Sequence, residues 1–282
     1  MRTKKILFLA SATSLFFVSC NNSTSSTEEK KDTTTLVSPT QLKEDNITYS
    51  GDNTTMNGYV VYQDTVQGKR PAVLVVHEWW GLNDYSKMRA KQLAQLGYVA
   101  MAVDMYGNGQ TASDPGGAMK LAGPFYKNPQ LTKTRLDAAI AKLKTYPEVD
   151  TNNIAAIGYC YGGYVVLNAA KLGEPLKGVV SFHGDLSGVK PDKNLLKSKV
   201  LVLHGEADLL VKKQVVDQFK KQMDSIGADY TFKSYPNAKH AFTNPIADSV
   251  ENKFHIGVGY NEAADKQSWD AMKEFLQKLF GK

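Results

Sequence analysis

Cys160 stands in a frame that can make it a nucleophile. The stretch Gly158-Tyr159-Cys160-Tyr161-Gly162-Gly163 follows an apolar run, Asn153-Ile154-Ala155-Ala156-Ile157, and precedes Val165-Val166-Leu167-Asn168-Ala169-Ala170. A strand, a tight glycine turn bearing the reactive residue and a helix make a nucleophile elbow, usually written G-x-S-x-G; here a thiol replaces the hydroxyl. The flanking positions must be small for strand and helix to approach, and the nucleophile itself occupies a strained turn. The same turn aims the backbone N–H of Tyr161 from a helix N-terminus, where it can hold an oxyanion. Alone, the pattern is better read as a glycine-rich turn around a buried, inert cysteine. The rest of the chain must supply the partners.

A cysteine that attacks a carbonyl needs a base for its proton and an acid to orient that base. On a strand-turn-helix scaffold of this kind they follow in the order nucleophile, acid, histidine. After the run Lys199-Val200-Leu201-Val202-Leu203 comes His204-Gly205-Glu206-Ala207-Asp208, and after Tyr230-Thr231-Phe232-Lys233-Ser234-Tyr235 comes Pro236-Asn237-Ala238-Lys239-His240-Ala241-Phe242. Cys160, Asp208 and His240 therefore each follow a strand, in the required order. Singly, Asp208 also suits a helix N-cap and His240 a solvated loop position; three coincidences at strand ends favour a catalytic triad. A second oxyanion donor is expected in the loop His77-Glu78-Trp79-Trp80-Gly81, from the N–H of Trp79. Glu78 is either a solvated loop residue or a carboxylate that would raise a neighbouring thiol's pKa. Trp79, Trp80, Tyr161 and Phe242 are candidate walls of an apolar acyl or aromatic pocket, with core packing the competing role. His77 and His183 also lie near strand ends, but no cluster has metal-ligand spacing.

The positioning elements are strands alternating with helices. Asn46–Ser50 and Gly58–Gln63 alternate and read as a hairpin joined by turn residues. Pro71–His77, Tyr98–Asp104, the elbow strand, Gly178–Gly184 and Lys199–Gly205 are continuous apolar runs suited to doubly covered central strands. Helices are predicted over Asp84–Leu96, capped by Asn83 or Asp84, and over Leu131–Tyr146, Gln214–Ile226 and Glu262–Phe280. The stretch Gly107–Gly123 reads as mostly loop. This order specifies an α/β domain with a mostly parallel sheet, helices on both faces and a site at the C-terminal ends of the strands.

The N-terminus is different in kind. Met1-Arg2-Thr3-Lys4-Lys5 is basic, Ile6 to Val18 is apolar, and Ser19-Cys20 follows. This is the pattern of a signal peptide over residues 1–19. Phe17-Val18-Ser19-Cys20 resembles a lipobox, with Cys20 the lipidated first mature residue, although Phe replaces the usual Leu; an ordinary cleaved signal is the alternative. Residues 20–40 are polar and low in complexity, a tether. Residues 41–282 are long enough for one large domain. The chain has 34 basic and 28 acidic residues. Loss of Arg2, Lys4 and Lys5 leaves 31 against 28, near +3, with no basic stripe for nucleic acid. With Cys20 lipidated, Cys160 has no internal disulfide partner.

Gly-Tyr-Cys-Tyr-Gly-Gly, His-Glu-Trp-Trp-Gly, Asp-Met-Tyr-Gly, His-Gly-Glu-Ala-Asp and Lys-His-Ala-Phe, in this order, resemble the dienelactone hydrolase family of α/β-hydrolases, from about Gln63 to the C-terminus. The resemblance implies the α/β-hydrolase fold, with Cys160 as nucleophile, His240 as base, Asp208 as its orienting acid and Glu78 as a carboxylate that interacts with the resting thiol. It implies no metal or organic cofactor. The dienelactone-cleaving enzymes grip a substrate carboxylate with two arginines. At the corresponding places this chain has Gly107-Asn108-Gly109 and Asn244, and asparagine lacks arginine's bidentate fork. Asn108 and Asn244 are thus expected in the pocket, around a neutral ester or lactone. The expected protein is a monomeric, exported hydrolase held at the cell envelope only by its lipid anchor. A non-catalytic envelope binding protein on the same fold, or a peptidase or acyltransferase, are the competing functions.

Overall fold

The computed structural model describes residues 41–281. The expected signal peptide, Cys20 and tether lie outside the described residues. In chain order the elements are β1 (Leu42–Gly51), β2 (Thr54–Gln63), β3 (Arg70–Val76), α1 (Asp84–Gln95), β4 (Val99–Val103), α2 (Pro115–Lys127), α3 (Gln130–Leu143), β5 (Val149–Tyr159), α4 (Tyr161–Lys171), β6 (Gly178–Phe182), β7 (Lys199–Gly205), α5 (Lys213–Ser225), β8 (Tyr230–Tyr235), α6 (Ala247–Phe254) and α7 (Glu262–Phe280).

The strands form one sheet in the order β1-β2-β4-β3-β5-β6-β7-β8. The β1/β2 and β2/β4 pairs are antiparallel; all others are parallel. The hairpin turns at Asp52 and Asn53, both at positive φ, as a two-residue turn matching the twist of its strands requires. The apolar runs become the inner strands β3, β4 and β6, buried along their whole length. Their side chains alternate between the two faces. In β3, Ala72, Leu74 and Val76 join the core beneath α2, α3, α4 and α5, whereas Val73 and Val75 join that beneath α1 and α7. Each large side chain so buried contributes about 1.5–3 kcal/mol, which is why the sheet needs helices on both faces. This is the expected α/β-hydrolase architecture.

Asn83, rather than Asp84, caps α1, accepting the Ser86 N–H. The stretch read as loop from Gly107 contains α2. Asp114 caps it by accepting the Gly117 N–H at 3.0 Å, and Pro115 occupies the first helical position. Asp-Pro-Gly-Gly reads as a turn in isolation, yet Asp then Pro is also a helix start. Burial of Ala118, Ala122 and Phe125 holds a segment of otherwise poor helix propensity. Also unexpected from the sequence is α6, a short helix of which only Ala247 is buried.

Candidate active site

The polar residues expected to do chemistry gather at the C-terminal edge of the parallel strands. Cys160 joins β5 to α4 with φ 53° and ψ −116°, a conformation that costs a non-glycine residue about 1–3 kcal/mol and needs external support. Close packing provides it: a Cβ on Gly158 would collide with the Gly162 carbonyl, and one on Gly162 with that of Val76. The Cys160 N–H is shared between Phe182 O at 3.0 Å and His183 Nδ1 at 3.1 Å. His183 Nε2 in turn lies 2.8 Å from Thr243 Oγ1. Because Nδ1 accepts a backbone N–H, the proton of neutral His183 sits on Nε2 and is donated to Thr243. Burial, with His240 next, keeps His183 uncharged by lowering its pKa well below the usual value.

Asp208 lies in the turn after β7. One oxygen accepts the N–H groups of Leu210 and Val211 at 2.8 and 3.1 Å, and the other accepts His240 Nδ1–H at 2.8 Å. Its N-cap alternative does not apply, since α5 begins after Lys212. The two loops are tied together by Ala207 N–H donating to Ala238 O, and His240 is held further by a parallel bridge to Val258. With Nδ1 engaged by Asp208, Nε2 remains for the thiol. Burial opposes a charged His240, but the adjoining Cys160 and the hydrogen-bonded Asp208 outweigh it, holding its pKa well above the ordinary range. The hydrogen bond with His240 and the backbone donors hold the Asp208 pKa below its usual value against the opposing effect of burial.

Glu78 is buried, and it accepts a hydrogen bond from Asn244 Nδ2 at 2.6 Å. Burial pushes its pKa up to about 7, opposed by Asn244, His240 and Arg89. Both residues line the same cavity as Cys160, but the hydrogen bond of Glu78 goes to Asn244 and not to the thiol. Asn244, expected as a substrate contact, has its amide turned to this carboxylate instead. Neighbouring His77 is fully buried; its Nε2 accepts Met105 N–H and its Nδ1 meets Glu78 O, a structural role beneath the loop.

The N–H of Tyr161 is at the first position of α4, where no intrahelical acceptor exists. Trp79, whose carbonyl is taken by Tyr106 Oη at 2.9 Å, lines the cavity with Tyr161 and Trp80. Two expected pocket residues are elsewhere. Phe242 is fully buried behind the site, its ring against His183 and Tyr235: the loop turns through Ala241 at positive φ and sends it into the core. Asn108 is exposed at φ 55°, bonded through its N–H to Thr55 O, and is not part of the wall. Its loop is bound to the β1/β2 hairpin, and Asp104 gathers the N–H groups of Asn57, Tyr106, Gly107 and Gly109. The cavity holds about 690 Å³ and is completed by residues not expected from the sequence: Met119, Tyr126 and Lys127 of α2, Asp185, Leu210 and Val211, and Val250, Ile256 and Val258 around α6. His183 was visible as a histidine following a strand, the same signal that marks His240.

A family model described as the dienelactone hydrolase family matches residues 56–280. An uncharacterized protein of Caenorhabditis elegans is 38% identical over 151 residues, 52% of this chain and 94% of its own length. A Methylorubrum extorquens protein provisionally named carboxymethylenebutenolidase is 30% identical over 186 residues, 62% of this chain and 64% of its own. Among solved structures, a dienelactone hydrolase-like promiscuous phosphotriesterase from metagenomic libraries superposes with a TM-score of 0.80 at 33% identity, covering 84% of this chain and 98% of that one.

Proposed function

The chain belongs to the dienelactone hydrolase family, a hydrolase family acting on lactones and esters, and on that premise we propose that it cleaves neutral esters or lactones by nucleophilic catalysis through Cys160, His240 and Asp208. The observation that carries the reading is His240, held by Asp208 at 2.8 Å on one side and adjoining Cys160 on the other. The thiol proton passes to His240 Nε2 and Sγ attacks the carbonyl carbon, forming a C–S bond while the carbonyl oxygen takes up the charge. The N–H groups of Tyr161 and Trp79 receive that oxyanion; losing one such donor costs about 3 kcal/mol in enzymes of this type. Collapse breaks the C–O bond, and His240 returns the proton to the departing alcohol. Water, deprotonated by His240, then hydrolyses the thioester, releasing a carboxylic acid and the free thiol. Substrate neutrality is supported by Asn244 being occupied with Glu78, and by a cavity wall that, among the described residues, contains no arginine.

The test is turnover of p-nitrophenyl butyrate by the wild type and by Cys160→Ala, His240→Ala and Asp208→Asn, with mass spectrometry of the quenched enzyme. The first two should lose turnover and the third should lose about 10²–10⁴-fold in kcat. An acyl adduct should map to Cys160; unaffected turnover in Cys160→Ala excludes the reading. The metagenomic relative is named for phosphotriester hydrolysis, so a neutral phosphotriester belongs in the same panel.

The proposal extends to location. Residues 1–19 would direct export, Cys20 would carry the lipid, and residues 20–40 would tether a monomeric hydrolase domain, residues 41–282, to the cell envelope. Metabolic labelling with a fatty-acid analogue should mark the wild type and not Cys20→Ser.

A further inference from the structure

The cavity offers more apolar surface than the reaction requires. Cleaving an ester needs the thiol, its base and two N–H donors. The space around them, about 690 Å³, is sized for a whole drug-like molecule. Its walls include Trp79, Trp80, Val211, Val250, Ile256 and Val258. Beyond Cys160, Tyr161 and His240, the polar side chains on the wall include Glu78 and Asn244, bonded to each other, and Lys127 and Asp185, of opposite sign. Among the described residues no pair of cations converges there to hold a substrate anion.

The apolar surface continues outward. Met119 and Leu210 both line the cavity, and each is 52% exposed. Ile246, 57% exposed, precedes the lining residue Ala247 in the chain, whereas Leu209, 80% exposed, borders a separate depression with Lys212 and Gln214. Among the described residues Met119 and Leu210 are two of the seven large apolar side chains left substantially exposed. Scattered exposed apolar residues need no explanation, but a pair that also lines a site does. Such a rim is unfavourable in water and useful only if something apolar covers it during binding.

We propose that the substrate is an uncharged ester with a medium or long apolar acyl chain. The carbonyl lies at Cys160 and the chain runs along the tryptophan and valine walls and out across Met119 and Leu210. This rests on the hydrolase reading above and goes beyond it by fixing the substrate class. A small charged lactone would leave most of the cavity unfilled and bring its carboxylate toward Glu78.

The experiment is kcat/KM for p-nitrophenyl acetate, butyrate, hexanoate, octanoate and decanoate, each below its micellar concentration, with p-nitrophenyl hemisuccinate as the charged-chain probe. Each methylene that becomes buried should raise kcat/KM by up to about fourfold, so octanoate should exceed acetate by at least tenfold and hemisuccinate should fall below butyrate. Leu210→Glu and Met119→Glu should each lower the octanoate-to-acetate ratio at least tenfold. A profile that peaks at acetate, or a ratio unchanged in both variants, overturns the substrate class and leaves the hydrolase reading standing. A folded protein that turns over no ester overturns both.

Discussion

His183 accepts the backbone N–H of Cys160 through Nδ1 at 3.1 Å while its ring packs edge-on against that of His240, with centroids 5.3 Å apart. One neutral imidazole thus touches both the turn that carries the thiol and the histidine proposed as its base. Behind it, Thr243 Oγ1 is 2.8 Å from His183 Nε2 and 2.6 Å from Tyr85 Oη, and the Thr243 carbonyl accepts Arg89 Nη2 at 2.7 Å. Arg89 also pairs with Asp265 at the start of α7. The loop bearing His240 and Asn244 is therefore fastened to α1, α7 and the elbow through Thr243 and His183.

Replacing His183 should disturb alignment more than binding. In His183→Asn the amide oxygen can stand where Nδ1 stood and accept the Cys160 N–H. In His183→Gln the longer arm reaches toward Thr243 and leaves that N–H to Phe182 O alone. We expect kcat to fall at least tenfold in the Gln variant and by less in the Asn variant, with KM changed under threefold in both. Parallel thermal melts separate this from general loosening: a kcat that follows Tm rather than the acceptor's position would make His183 merely structural.

Glu78 makes stability depend on pH in a direction opposite to that of an ion-paired carboxylate. Its pKa is about 7 in the folded protein against an ordinary 4.5, mainly through burial. Between those values the folded state holds a proton that the unfolded chain has lost, so the slope of unfolding free energy with pH is negative. Stability contributed by the neutral form is complete below about pH 4.5 and falls as pH rises to about 7. At about 1.36 kcal/mol for each pH unit crossed, the loss amounts to at most roughly 3 kcal/mol. Glu78→Gln keeps an oxygen for Asn244 Nδ2 and removes the charge. Its melting temperature should exceed that of the wild type at pH 8 and match it near pH 4. An equal difference at both pH values would place the charged form of Glu78 in water.

The sheet and the positions of Cys160, Asp208 and His240 were legible because they rest on local signals. Continuous apolar runs identify doubly covered strands, and glycine spacing identifies the elbow. The cavity was less legible, since its walls come from segments whose conformation is decided by tertiary packing. Met119 and Tyr126 reach the site only because Asp114 caps a helix rich in Gly and Pro, which the sequence presents as a loop. Phe242 and Asn244 are two residues apart in the chain, yet the first enters the core and the second bonds Glu78. That division follows from the turn at Ala241, φ 58°, and no periodicity in the loop reveals it. Glu78 could be singled out from its neighbours in sequence, but its partner, Asn244, lies 166 residues away.

Two glycines in the site should respond very unequally to alanine. At Gly162, in the first turn of α4, a Cβ would press into the carbonyls of Val76 and His77, the latter at 2.7 Å. Both are main-chain atoms at the end of the central strand and cannot move without displacing the sheet or the elbow. Gly162→Ala should therefore destabilise by more than about 3 kcal/mol, in the range reserved for core overpacking and backbone strain, and should abolish activity by shifting Cys160. At Gly123, inside α2, a Cβ meets nothing within 4 Å beyond its chain neighbours, but the next residue is Pro124, whose Cδ crowds a Cβ on a helical residue before it. Alanine there restricts the unfolded chain and improves helix propensity, worth about 0.4–1 kcal/mol, and the crowding by Pro124 offsets that gain. For a domain of this size the net change should leave Tm within about 4 °C of the wild type. Melting curves of the two variants decide it. A tolerated Gly162→Ala would mean that the elbow does not need its close approach to β3. A Gly123→Ala as unstable as Gly162→Ala would mean that Pro124, rather than the open space around the Cβ, decides what that position accepts.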